Sequence, residues 1–192
     1  MKDIMKQRIS ESIEVKRGVL ENEDLLNALE ALIEEVITAI KNGHKLVVCG
    51  NGGSASDALH FAGEIVGRFV RERPAWPAVV LNADVATMTA IGNDYGYDDV
   101  FARQAQGHCQ LGDVFIGIST SGNSENVLRA AGMAKSMGCK TAALLGGDGG
   151  KIGKTVDYPL IVPCNITARV QESHILLIHI ICELVEKALC DE

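Results

Sequence analysis

The stretch Leu46-Val47-Val48-Cys49-Gly50-Asn51-Gly52-Gly53-Ser54 decides the fold class. Its apolar residues are continuous rather than alternating, which predicts a strand buried on both faces. A glycine-rich turn follows, and then a segment with helical spacing that carries Asp57, His60 and Glu64. Strand, glycine loop and helix in that order form an anion-binding layout. Glycines allow positive φ and close backbone approach, and a helix N-terminus presents unpaired N–H groups. The same residues also suit a plain tight turn with Ser54 as helix cap, and the glycines alone do not choose between the two.

Further along the chain, the apolar runs Ala78–Leu81, Val114–Ile118, Thr141–Leu145 and Leu160–Val162 read as four more strands, separated by helical stretches such as 125–136. Continuous hydrophobicity with intervening helices predicts a three-layer α/β/α sandwich around a five-stranded, mostly parallel sheet. Ligands of such sheets collect beyond the carboxyl ends of the strands. Upstream, Leu25, Leu26, Leu29, Leu32, Ile33, Val36, Ile37 and Ile40 give residues 22–41 one apolar helical face. Residues before it, with Ile4, Ile9, Ile13 and Val19 among charges, form a weaker helix. The two are expected to make an N-terminal hairpin over 1–42, suited to oligomer contacts, on a single domain spanning 1–192. The segment 169–189 reads as a long, largely buried helix interrupted by Gln171, His174 and His179.

Composition narrows the function. A net charge of −7 argues against a general nucleic-acid surface, which needs clustered Lys and Arg, but leaves room for one small anion held by backbone N–H groups. No apolar run reaches the roughly 20 residues of a membrane span, and the first residues mix charges unlike a signal peptide, so a cytoplasmic location is expected. The six cysteines form no Cys-x-x-Cys pair and read as reduced thiols. Neither glycine loop matches a nucleotide motif: 50–54 lacks Gly-x-Gly-x-x-Gly spacing, and Gly146–Lys151 is followed by Ile152 where a P-loop places a hydroxyl.

A second loop, Ser119-Thr120-Ser121-Gly122-Asn123-Ser124, also joins a core strand to a helix. Capping needs one or two of its hydroxyls, and the excess favours phosphate binding. His60 and Glu64 are one helical turn apart and can reach the same ion. A Glu64–Arg68 surface pair is the ordinary alternative. Gln171 and His179 lie about 80° apart around their helix and could complete a mixed nitrogen and oxygen set suited to zinc. His174, about 140° from His179, reads as structural.

Taken together, Cys49–Ser54, Asp57–Glu64, Arg73-Pro74, Ala90–Gly96, Gly117–Ser124 and Val170–His174 with His179 resemble the phosphoheptose isomerases of the SIS (sugar isomerase) fold over nearly the whole chain. The resemblance implies sugar-phosphate contacts from Asn51, Gly52, Gly53, Ser54, Glu64, Asn93, Asp94, Ser119, Thr120, Ser121, Ser124 and Gln171. It places zinc on His60, Glu64, Gln171 and His179. It also implies a homotetramer with sites at subunit contacts. The implied reaction converts sedoheptulose 7-phosphate into D-glycero-D-manno-heptose 7-phosphate, toward the heptose of lipopolysaccharide and other surface glycans. Passing a proton between C1 and C2 through an enediolate needs a base and an acid, and Glu64 and His179 are the candidates. One departure is Thr167-Ala168, where some members carry an acidic residue before the Arg-x-Gln-Glu segment. Two other readings compete: a non-enzymatic SIS-fold binding protein of the replication-initiator-associating type, and an isomerase of another sugar phosphate. A binding protein has no chemical need for a paired Glu and His.

Overall fold

In the computed structural model, which describes residues 1–191, the apolar runs form strands β1 (Leu46–Gly50), β2 (Ala78–Val80), β3 (Val114–Ser119), β4 (Lys140–Gly146) and β5 (Tyr158–Val162). The helices are α1 (Lys2–Leu20), α2 (Glu23–Lys41), α3 (Gly53–Val66), α4 (Val85–Tyr95), α5 (Val100–His108), α6 (Glu125–Ser136), α7 (Gly150–Gly153) and α8 (Thr167–Cys190). All four strand pairings are parallel, in the order β2-β1-β3-β4-β5. Every residue of β1 and β3 is buried, as continuous apolar runs require when both sheet faces are covered. One face packs α2, α3 and α8 through Leu32, Val36, Phe61, Ile65, Leu177 and Ile181. The other packs α5 and α6 through Phe101, Ala105, Val127 and Ala130.

The chain leaves β1 toward β2 on one side and returns to β3 on the other, so strand order reverses between β1 and β3. A crevice opens at such a switch point, beyond the carboxyl ends of the two strands. The opposite end of the sheet is tied shut by carboxylates. Asp113, 1% exposed, accepts from Lys45 N at 3.0 Å, Lys45 Nζ at 2.6 Å and Gln110 N at 2.8 Å. Asp157 accepts from Thr141 N at 3.0 Å, Thr141 Oγ1 at 2.7 Å and Lys135 Nζ at 2.7 Å.

Asn22 caps α2 by accepting from Leu25 N at 3.1 Å, and α2 then buries its apolar stripe. α1 behaves differently, burying only Val19. Its long-range polar contacts reach α8 rather than α2: Ser12 Oγ donates to Glu172 Oε2 at 2.7 Å and Arg169 Nη1 donates to Arg8 O at 2.9 Å. The pair is thus a hairpin that meets at its turn, with α1 leaning on the start of α8. Among the described residues no helix is long and apolar enough to cross a membrane, and the described cysteines are all free thiols.

Burial pushes the Asp157 carboxyl up, but its bonds from Lys135 and Thr141 outweigh this and hold it below the usual carboxylate range. Its contribution is therefore complete above the unfolded value of about 3.9 and is lost as pH falls through the lower folded value. Asp157→Asn is expected to lower stability by roughly 1–3 kcal/mol at pH 7. Urea unfolding should show the gap from wild type narrowing below about pH 4. A gap unchanged from pH 7 to pH 3 would contradict this role.

Candidate active site

Both loops at the switch point end in helices whose N-cap residues make no side-chain cap bond. Gly52, at φ +54°, is the N-cap of α3 and offers no side-chain bond. Ser124 is the N-cap of α6, but its Oγ pairs with Ser119 Oγ at 2.9 Å instead of with the helix. Ser54 is not the cap: it lies inside the first turn of α3 and is 4% exposed. Neither N-cap residue caps its helix through a side chain, but part of each first turn is occupied: Ser54 N and Ala55 N donate to Asn51 O at 3.0 and 3.3 Å, and Val127 N donates to Asn126 Oδ1 at 3.0 Å. Among the described bonds the amides of Gly53, Glu125 and Asn126 are the first-turn donors left for an anion.

The loops are fixed to one another by amides that sequence spacing does not reveal. Asn51 Nδ2 donates to Asn126 Oδ1 at 2.9 Å, and Asn126 Nδ2 donates back to Asn51 Oδ1 at 3.0 Å. Tyr97 OH also donates to Asn51 Oδ1, at 2.9 Å, and Asn82 Oδ1 accepts from Gly50 N at 3.2 Å. Beside them a cavity of about 300 Å³ is lined by Thr120, Ser121, Asn123, Gly146, Gly147, Asp148, Asn165 and Thr167. Its wall of hydroxyls, amides and backbone suits a polar ligand.

The second cluster is on α3 and α8, which run in step. A Cβ at Gly53 would stand 2.5 Å from Gln171 Nε2, so glycine is what lets Gln171 approach the start of α3. Two turns further along, His60 Nε2 lies 3.1 Å from Glu64 Oε1 and 3.3 Å from His179 Nε2. The imidazole rings are tilted by 55°, and Phe69 packs on His179 with centroids 5.8 Å apart. The Glu64–Arg68 surface pair does not form, because Arg68 Nε faces Glu72 Oε2 at 3.8 Å. Asp57, one turn before His60, has a buried Oδ2 without a hydrogen-bond partner, and burial pushes its carboxyl up.

Zinc bonds to imidazole and carboxylate are about 2.0–2.2 Å, which makes the edge of a tetrahedral ligand set about 3.3–3.6 Å. The separations at His60 Nε2 approach such edges, and two imidazoles with a carboxylate are a suitable donor set. Among the described residues no three His, Cys, Asp or Glu close into a ready-made metal cage, and these donors form an open chain centred on His60. Gln171 lies against Gly53, roughly 12 Å along the α8 axis from His179. Asn93 and Asp94 are exposed at the end of α4, where Asn93 Nδ2 donates to Asp94 Oδ1 at 2.9 Å. No described bond joins them to the other candidates. His174 is fully buried, with Nε2 3.0 Å from Leu145 O, and burial lowers its pKa to about 4. It is a neutral core residue.

The SIS domain family matches residues 10–146 of the chain. The chain is 49% identical to the phosphoheptose isomerase of Sulfurimonas denitrificans, over 98% of its own length and 97% of that protein's. It is 48% identical to the phosphoheptose isomerase of Aneurinibacillus thermoaerophilus, over 98% and 96%. The solved phosphoheptose isomerase of Neisseria gonorrhoeae superposes with a TM-score of 0.91 at 41% identity, covering 97% of this chain and 98% of that one. The Francisella tularensis enzyme gives 0.92 at 36%, covering 96% and 97%. A parallel sheet with glycine- and hydroxyl-rich loops at its switch point, a His-Glu-His cluster on two packed helices and near-full-length relatives agree: the chain belongs to the phosphoheptose isomerases of the SIS domain family.

Proposed function

We infer that this chain is an aldose–ketose isomerase interconverting sedoheptulose 7-phosphate and D-glycero-D-manno-heptose 7-phosphate, a step of heptose biosynthesis. The observation that carries the reading is the meeting of Glu64, His60 and His179 on α3 and α8, below an anion cradle at the head of α3. From Gly53 to His60 the axial distance is roughly 10 Å, of the order spanned by an extended seven-carbon chain ending in phosphate.

In this reading the uncapped N-termini of α3 and α6, with Asn51, Gly52, Gly53, Ser119, Thr120, Ser121 and Ser124, hold the phosphate end. Dipoles and N–H groups suffice there without a Lys or Arg. Asn93 and Asp94 belong to the same substrate set, as do Ser54 and Gln171. At the other end Glu64 and His179 move the protons: the base takes one from C1 of the ketose and returns it at C2, while the acid protonates O2 as the enediol forms and recovers the O1 proton as it collapses to the aldehyde, the order being reversed in the other direction. His60, Glu64 and His179 would hold zinc, which when bound supplies Lewis-acid polarisation of the sugar oxygens. Gln171, the fourth ligand that the family resemblance implies, would join them only after its amide leaves Gly53. Phe69 shields His179 from water on one side.

The His-Glu-His cluster faces outward, with the His60 side chain 45% exposed. Leu59, Val66 and Val70 beside it are 48%, 44% and 67% exposed, and Ile4, Ile9 and Ile13 of α1 are also exposed. An apolar rim around an open reaction centre supports a homotetramer in which neighbouring subunits cover the sites. A cytoplasmic location accords with a phosphorylated substrate.

Glu64→Gln and His179→Gln are each expected to keep the far-ultraviolet circular dichroism of the wild type and to lower kcat by about a hundredfold or more. Turnover near the wild-type rate in either variant would exclude that residue from proton transfer. Dialysis against a strong chelator is expected to abolish isomerisation of sedoheptulose 7-phosphate, and added zinc to restore it. A metal-stripped protein working at full rate would refute the zinc assignment.

A further inference from the structure

Arg73 and Glu186 form an ion pair at 3.1 Å in which each side chain is only 3% exposed. A buried pair adds little to stability relative to apolar side chains of the same volume, so its contacts matter more than its charge. The Glu186 carboxylate is fully occupied: it accepts from Phe69 N at 3.0 Å, Val70 N at 2.8 Å, Arg71 N at 2.8 Å and Arg73 Nε. The guanidinium is equally committed. Nη2 donates to Glu64 O at 2.8 Å, and Nη1 donates to Ile65 O at 3.0 Å and Pro74 O at 3.1 Å. Its far face lies 3.5 Å over the Trp76 ring.

One contact of each residue leads to a member of the reaction centre: Arg73 to Glu64, and Glu186 through Phe69 to His179. Carbonyls in the last turn of a helix have no intrahelical donor, and at the end of α3 Arg73 supplies donors to the carbonyl of Glu64 itself. Glu186 is seven residues after His179 and therefore on nearly the same side of α8. The amides it gathers hold residues 69–71, and Phe69 rests on the His179 ring.

We propose that Arg73 and Glu186 are positioning residues for the isomerisation, setting the Glu64 carboxylate against the His179 imidazole by joining the end of α3 to α8. The proposal rests on the isomerase reading above. It acts on geometry at the reacting carbons and leaves the phosphate cradle untouched. Its signature is therefore a fall in kcat without a matching rise in KM.

Steady-state kinetics with sedoheptulose 7-phosphate on Arg73→Lys, Glu186→Asp and Glu186→Gln provides the test. Lysine keeps the charge but not the planar fork that serves several acceptors at once. Aspartate keeps the charge on a shorter arm, and glutamine keeps the shape without the charge. Trp76, the single tryptophan, reports by its emission that the segment stays packed. The folded variants are expected to lose about 10- to 100-fold in kcat with KM within about threefold, Glu186→Asp losing less than Glu186→Gln. Asp113→Asn, at the opposite end of the sheet, is the control and should keep the wild-type kcat even where its melting temperature falls as far. The proposal is overturned if the folded variants stay within about twofold of wild-type kcat, or if KM rises in step with the loss. A loss of kcat in Asp113→Asn that tracks stability overturns it as well. Should one variant fail to fold, the others decide. A wild-type protein that does not convert the ketose refutes the isomerase reading instead, which keeps the two failures apart.

Discussion

The packing of α3 against α8 is the contact from which the rest of the site follows. At its head a glycine at position 53 gives Gln171 room to approach. In its middle, imidazoles from the two helices come within 3.3 Å. At its foot the Arg73–Glu186 pair closes the end of α3 onto α8. Substituting a larger residue at the head or removing a partner at the foot would shift one helix along the other. The middle would register the shift first, because a carboxylate and two imidazoles cooperate only over a few tenths of an ångström.

The sheet divides the labour between its ends. Carboxylates at the amino end accept backbone and lysine donors and lock β1, β3, β4 and β5. The carboxyl end is left to glycines, hydroxyls and amides, which can give their donors to a ligand. An acidic protein can bind a phosphate this way, since the field that matters is set by oriented N–H groups within a few ångströms and not by the net charge.

Much of this could be read from the chain itself. Five continuous apolar runs define five buried strands, and helical stretches between them force parallel pairing. His60 and Glu64 show their shared face because a helix repeats every 3.6 residues. What spacing cannot display is a partner brought in from another element. Asn126 meets Asn51 across 75 residues, and Glu186 meets Arg73 across 113. Both are polar residues inside helical stretches, and without the fold they look like solvent-facing positions. The same limit explains α1, whose apolar residues suggest a partner but not that the partner's first contact is α8. Asn93 and Asp94 rest on family likeness alone and Gln171 on helical spacing as well, and the fold leaves all three apart from the His-Glu-His cluster.

The central claim is that α3 and α8 together build a metal-assisted proton-transfer centre. An anomalous difference map at the zinc edge, from crystals of the wild-type protein grown with zinc and sedoheptulose 7-phosphate, tests it most directly. The expected result is one peak within bonding distance of His60 Nε2, a Glu64 carboxylate oxygen and His179 Nε2, with the sugar's C1 and C2 oxygens beside it. A catalytically active crystal with no peak there, or with zinc bound only elsewhere, would contradict the account.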